Sequence, residues 1–342
     1  MIRVLVAEDS HTARELLVEI LRSDPEVEVV GEAANGALAV EMTRKLRPSV
    51  VTMDIRMPKL DGFEATRQIM VEVPTPIVIV SGSLDVHEVE VSMHALKAGA
   101  LTVLRKPQGP EAPDFDEQAR RFLDTVKAMS QVKVVRRWPE RTRPEPLPPI
   151  PAVRNGARPR VVAIAASTGG PAALARILSE MPGDFPLPVL VVQHIARGFV
   201  DGFATWLNTT ASLRVKVAED GEPLCARTVY VAPDDRHLGA MERSTITVCK
   251  DPPIEGFRPS ATFLFESVAR AFGTSAVAVI LTGMGRDGVA GLRAIRETGG
   301  RVLAQDEESS VVFGMPGAAI SEGLADATLP LGAMAYRLRE LA

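Results

Sequence analysis

The stretch VVAIAASTGGP, Val161–Pro171, constrains this chain more than any other. Apolar residues follow one another without polar alternation, the pattern of a strand buried on both faces. The run ends on Ser167, and Pro171 stands where a helix opens, since the first helical position leaves its N–H unpaired in any case. A strand that turns sharply into a helix puts Ser167 at the strand's carboxyl end, where open α/β sheets bind ligands. Gly169 and Gly170 clear side chains from the turn, and a helix start offers free N–H groups to a developing oxyanion. The residues do not spell a nucleophile elbow, because position 165 is Ala and G-x-S-x-G is not met. Two readings therefore stand for Ser167 alone: a helix-capping or phosphate-contacting serine, and a nucleophile.

A chain of 342 residues predicts two domains, each large enough for its own core. With 46% hydrophobic and 24% charged residues the composition is that of a soluble globular protein. A net charge of −4 gives no case for nucleic acid or an anionic membrane as partner. Cys225 and Cys249 form no C-x-x-C pair, which argues against disulfide frameworks and zinc ribbons. MIRVLVAEDS has no signal-peptide pattern and no apolar run reaches spanning length, so no membrane insertion and a cytoplasmic location are expected.

In residues 1–136, strands are expected at Ile2–Ala7, Val27–Ala33, Val50–Met53, Ile77–Val80 and Leu101–Leu104. Helical periodicity covers Thr12–Arg22, Ala37–Leu46, Phe63–Val71, Val86–Ala98 and Phe115–Val126. Five alternating units predict a doubly wound parallel sheet, a flavodoxin-like (βα)5 arrangement. Its polar residues fall at strand ends: Glu8 and Asp9 after the first, Asp54 after the third, Ser81 after the fourth, Lys106 after the fifth. Three carboxylates converging there need a cation, and such oxygen donors suit Mg²⁺. One of them can act as nucleophile toward a phosphoryl donor, with Ser81 and Lys106 binding the phosphoryl oxygens. VLVAEDS, MDIRMPKLDGFE, VSGS and LRKP together resemble the receiver domain of two-component response regulators. That resemblance implies Asp54 as phospho-acceptor, Glu8, Asp9 and Asp54 as metal ligands, and Ser81 and Lys106 as switch residues.

Residues 137–157 carry Pro139, Pro144, Pro146, Pro148, Pro149 and Pro151 among Arg and Glu, and read as an extended, semi-stiff linker. Residues 158–342 again alternate strands and helices, with an antiparallel excursion expected around 213–249. No nucleic-acid-binding module is evident. Besides Ser167, two strand ends carry polar groups: His194 closes VLVVQH, and Asp287 lies in the Gly-rich turn after VAVIL. If the three strand ends meet, Ser167 is the nucleophile, His194 the base and Asp287 its orienter. His237, in PDDRHL, is a rival base in a turn before a strand. A competing pattern is G-x-G-x-x-G at Gly283, Gly285 and Gly288, with Asp306 placed like a ribose-binding acid, which predicts a dinucleotide site. A third reading is a non-enzymatic phosphate sink.

IAASTGGP, VVQHI, VYVAPDDRHL, RPSA, LTGMGRDGVAGL and AQDEESSVVFGMP, in this order, resemble the catalytic domain of the chemotaxis receptor methylesterases, the CheB family. The resemblance implies a mostly parallel α/β methylesterase domain with Ser167, His194 and Asp287 as a triad and the Met284 backbone N–H at the oxyanion. It further implies hydrolysis of glutamate γ-methyl esters on chemoreceptors, with deamidation of receptor glutamines, and a CheA-type histidine kinase as phosphodonor. No cofactor is implied for the ester chemistry. The chain departs from the family pattern at Ile195 and Ala196, usually Met and Pro, and at Phe257–Thr262, often H-R-P-S-V-D.

Overall fold

A computed structural model describes residues 1–82, 92, 94–96, 98–132, 134, 157–242 and 244–342. The expected helix Val86–Ala98 lies largely, and the Pro-rich linker almost wholly, outside the described residues. The chain divides into two units, Met1–Arg143 and Pro144–Ala342.

The first unit runs β1 (Ile2–Ala7), α1 (His11–Arg22), β2 (Val27–Ala33), α2 (Gly36–Leu46), β3 (Val50–Met53), α3 (Gly62–Glu72), β4 (Ile77–Ser81), β5 (Thr102–Arg105) and α4 (Phe115–Ser130). Its five strands are parallel in the order β2-β1-β3-β4-β5. Three of its helices start on side chains that cap the first turn: Ser10 accepts from the Ala13 N–H, Asn35 from Leu38 and Asp61 from Glu64. Strand order reverses between β1 and β3, so a crevice opens beyond their carboxyl ends. Glu8, Asp9 and Asp54 follow those two strands directly.

The second unit runs β6 (Val161–Ala166), α5 (Gly170–Glu180), β7 (Val189–Gln193), α6 (Val200–Thr210), β8 (Arg214–Val217), β9 (Thr228–Val231), β10 (His237–Met241), β11 (Thr245–Cys249), α7 (Ala261–Phe272), β12 (Ala276–Ile280), α8 (Val289–Glu297), β13 (Arg301–Gln305), α9 (Met315–Ser321), β14 (Ala327–Leu329) and α10 (Leu331–Leu341). Seven strands form a parallel sheet in the order β14-β13-β12-β6-β7-β9-β8. The antiparallel excursion is smaller than expected. β8 and β9 join the main sheet in parallel, and β10 with β11 makes a separate antiparallel ribbon.

β6 sits inside the sheet and every one of its six residues is buried, which explains its unbroken apolar run. From β6 the chain moves to β7 on one side and later returns to β12 on the other. The switch point therefore lies between β6 and β12. One apolar cluster joins Val161, Ala163 and Ala165 of β6 to Leu264, Phe265 and Val268 of α7 and to Leu238 and Ile246 of the ribbon. Among the described residues, no helix is long and apolar enough to cross a membrane.

Phe265 is fully buried in that cluster. Phe265→Ala should destabilise the second unit by about 3–5 kcal/mol through lost burial and a residual cavity. Urea unfolding followed by the fluorescence of Trp206, itself buried in α6, measures this.

Candidate functional site

In the first unit the carboxylate oxygens of Glu8, Asp9 and Asp54 lie within 4.8 Å of one another. Glu8 and Asp54 are buried, Asp9 is exposed. Lys106 reaches across from the end of β5: its Nζ is 2.9 Å from Asp54 Oδ2 and 3.0 Å from Glu8 Oε1. Glu8 Oε2 is 2.8 Å from the same ammonium, an ion-pair contact at an angle that makes no hydrogen bond. Burial, with the Asp54 charge added, pushes the Glu8 carboxyl above its ordinary range in spite of Lys106. Burial does the same to Asp54, and the Lys106 charge only partly offsets it. One ammonium thus under-compensates three acids. A divalent cation taking oxygen donors, one of them a buried oxygen without a hydrogen bond, fits this set. Ser81 is buried at the end of β4, and its carbonyl accepts the Lys106 N–H at 2.8 Å.

In the second unit Ser167 and His194 directly follow β6 and β7, and Asp287 lies in the turn between β12 and α8. The ladder between β6 and β7 runs one step past Gln193, the His194 N–H donating to the Ala166 carbonyl at 2.9 Å. The Ser167 N–H donates to the Thr282 carbonyl at 3.0 Å, tying the serine to the segment after β12. Gly283 stands against the serine: a Cβ there would come within 2.7 Å of Ser167 Cβ, so the turn carrying Met284 can lie beside the hydroxyl only with glycine at this position.

His194 and Asp287 meet directly, Nε2 to Oδ2 at 2.9 Å. Asp287 is buried, and its carboxylate caps α7. Oδ1 accepts from Ser260 Oγ at 2.8 Å and the Thr262 N–H at 3.1 Å, while Oδ2 also accepts the Ala261 N–H at 2.7 Å. Burial opposes the charge, but the His194 bond and charge, together with the Ala261 and Thr262 N–H groups, outweigh it and hold the carboxyl below its usual range. Phe257 stacks on the imidazole with centroids 4.3 Å apart and planes 12° from parallel. With Nε2 committed to Asp287, Nδ1 is buried and has no hydrogen-bond partner among the described residues. No hydrogen bond joins it to the Ser167 hydroxyl, which is itself without a partner there.

The rival base is ruled out by its surroundings. His237 is the first residue of β10 rather than part of a turn, is fully buried, accepts the Ser260 N–H at Nδ1 (3.2 Å) and bonds the Pro252 carbonyl through Nε2 (3.1 Å). In the dinucleotide reading Asp306 would bind a ribose; here its Oδ1 accepts from the N–H and hydroxyl of Ser309 in its own turn. Gly283–Gly288 instead bring Asp287 under α7. Two residues of this site were not singled out by pattern for a role in it. Ser260 and Phe257 enter the sequence reading only within the segment Phe257–Thr262 that departs from the family pattern, Ser260 also as part of RPSA.

The CheB methylesterase family matches residues 162–338, and the response regulator receiver domain matches residues 4–112. Protein-glutamate methylesterase/protein-glutamine glutaminase 4 of Myxococcus xanthus (strain DK1622) is 60% identical over 339 residues, covering 98% of this chain and 96% of that protein. The protein of the same printed name from Geobacter metallireducens (strain ATCC 53774 / DSM 7210 / GS-15) is 48% identical over 344 residues, with 100% and 99% covered. Among solved structures, the Thermotoga maritima CheB methylesterase catalytic domain aligns at TM-score 0.52 and 41% identity, over 54% of this chain and 99% of that one.

Asp287 tests the electrostatics without reference to substrate. Since its folded-state pKa lies below the ordinary 3.8, its ionised form stabilises the fold at neutral pH, and that contribution fades as pH falls below 3.8 toward the lower folded value. Asp287→Asn should cost about 3 kcal/mol at pH 7. The gap between variant and parent should close at acid pH, as read by urea midpoints on Trp206 fluorescence.

Proposed function

The chain belongs to the CheB methylesterase family, with a response-regulator receiver domain ahead of the catalytic one, and on that premise we propose that it demethylates glutamate γ-methyl esters of chemoreceptors under control of phosphorylation at Asp54. The observation carrying the reading is the His194–Asp287 bond above the switch point, with an unpaired Nδ1 on a strand end adjoining that of Ser167.

In this mechanism Nδ1 of neutral His194 takes the Ser167 proton as Oγ attacks the γ-carbonyl carbon. Asp287 holds the Nε2–H and stabilises the imidazolium. The Met284 N–H, which donates to no described group, faces the developing oxyanion beside Ser167. The imidazolium then returns its proton to the departing methoxide, giving methanol and an acyl-Ser167. Water, deprotonated by the same nitrogen, attacks the acyl carbon and releases the glutamate carboxylate and the serine hydroxyl. A glutamine side chain entering the same steps loses ammonia instead, which accounts for deamidation at one site. The ester chemistry uses no cofactor.

For control, Asp54 takes a phosphoryl group from a CheA-type histidine kinase. Glu8, Asp9 and Asp54 would hold Mg²⁺, which supplies charge neutralisation for that transfer when bound. Lys106, already seated against Asp54, pairs with the added phosphoryl oxygens, and Ser81 supplies a hydroxyl from the neighbouring strand end. Such an enzyme works in the cytoplasm on the receptors' cytoplasmic segments.

The deciding experiment is methanol release from methylated chemoreceptor membranes by the full chain. Ser167→Ala should lower the rate by at least about 10³-fold. A rate near the parent's would end the nucleophile assignment. A small phosphodonor with Mg²⁺ should raise the parent's rate. Asp54→Asn should abolish that stimulation, and a retained response would place the phosphorylation elsewhere.

A further inference from the structure

Gln193 is the last residue of β7 and is almost fully buried, 3% exposed, at the end of an otherwise apolar strand. Its side chain does not serve the strand ladder. Nε2 donates one hydrogen to the Ser167 carbonyl at 2.7 Å and the other to the His194 carbonyl at 2.8 Å. The ladder between β6 and β7 has just ended, with the His194 N–H on the Ala166 carbonyl. Beyond that step no main-chain donor of β7 reaches Ser167, and the carboxamide takes the ladder's place. Its Oε1 is buried with no hydrogen-bond partner among the described residues. That oxygen lies against Gly170, where a Cβ would come within 2.0 Å of it. An unsatisfied buried acceptor works against stability, and an apolar side chain of the same length would avoid it. The arrangement spends stability on a clamp between two backbone segments.

Resting on the triad reading above, we propose that Gln193 is a positioning residue for the hydrolysis, bridging the carbonyls of the nucleophile's and the base's residues and so setting the approach of Ser167 Oγ to His194 Nδ1. The two groups make no hydrogen bond to each other, so their relative placement depends on the strand ends that carry them. Each end is otherwise tied elsewhere: Ser167 through its N–H to Thr282 and through its carbonyl to the Gly170 N–H, His194 through its ring to Asp287. Past the final ladder bond, the carboxamide is what ties one directly to the other. A displacement of the order of 1 Å between reacting groups costs about 10²-fold in rate.

Gln193→Met keeps the length of the side chain and removes both donors. In the full chain, kcat for methanol release should fall by about 10²-fold with KM within about twofold, since the buried side chain of Gln193 offers a substrate no contact. The rate constant for Ser167 labelling by a serine-directed fluorophosphonate should fall in parallel. That constant, unlike the labelled amount, does not depend on how much of a preparation is folded, so a purely structural role would leave it unchanged. Gln193→Asn, too short to reach both carbonyls, should show the same slowing and serves if the Met variant does not fold. Labelling of either variant at the parent's rate would overturn the role of Gln193 and leave the triad standing. Failure of the parent itself to be labelled at Ser167 would instead bring down the triad.

Discussion

A carboxylate at the amino end of a helix is the interaction on which the second unit's site depends. Asp287 accepts four hydrogen bonds, from Ser260 Oγ, the Ala261 and Thr262 N–H groups and His194. Three of these donors belong to the start of α7, where unpaired N–H groups and the helix dipole favour negative charge. A buried acid without them would take up a proton and cease to hold an imidazole. The same bonds tie the turn after β12, the first turn of α7 and the end of β7 into one body. Burying an ion is tolerable here because it also fastens three segments.

Both units place their polar groups by one topological rule. In the first, strand order reverses between β1 and β3, and Glu8, Asp9 and Asp54 meet there. In the second, it reverses between β6 and β12, and Ser167 and the Asp287 turn flank the gap, with His194 one strand away. A reversal sends the two neighbouring connections to opposite faces of the sheet, which leaves room for a ligand at the edge. The chemistry differs while the scaffold's logic is shared. Three acids around one ammonium make a cation site, whereas a hydroxyl, an imidazole and an acid can make a nucleophilic one.

The parallel strands were legible because burial on both faces leaves an unbroken apolar run, as in VVAIAA and IVIV. The placement of Ser167, His194 and Asp287 beyond strand ends was legible because each comes after such a run. Elements poor in that signal were harder to read. β10 contains Gly239, β14 has only three residues, and α9 carries Pro316 and Gly317. His237 looked like a turn residue because Asp234 and Asp235 precede it, yet its ring is walled in by the Ser260 N–H and the Pro252 carbonyl. Ser260 and Gln193 belong to a different class. Their partners lie 27 and 26 positions away, and no local pattern states that a capping serine will donate to Asp287 or that a strand glutamine will bridge to Ser167. A polar side chain inside an apolar run does indicate a buried hydrogen bond somewhere. It leaves the partner open.

The imidazole of His194 gives Nε2 to its acid and keeps Nδ1 inward, the reverse of the usage familiar from chymotrypsin-like proteases. Nδ1 is the nitrogen nearer the main chain, so any proton it accepts must be delivered close to the strand itself rather than at the far tip of the ring. A geometric template drawn from digestive proteases would therefore pass over this constellation, even though it contains the same three side-chain types. Enzymes of this construction are better sought by where their strands end than by superposing ring atoms.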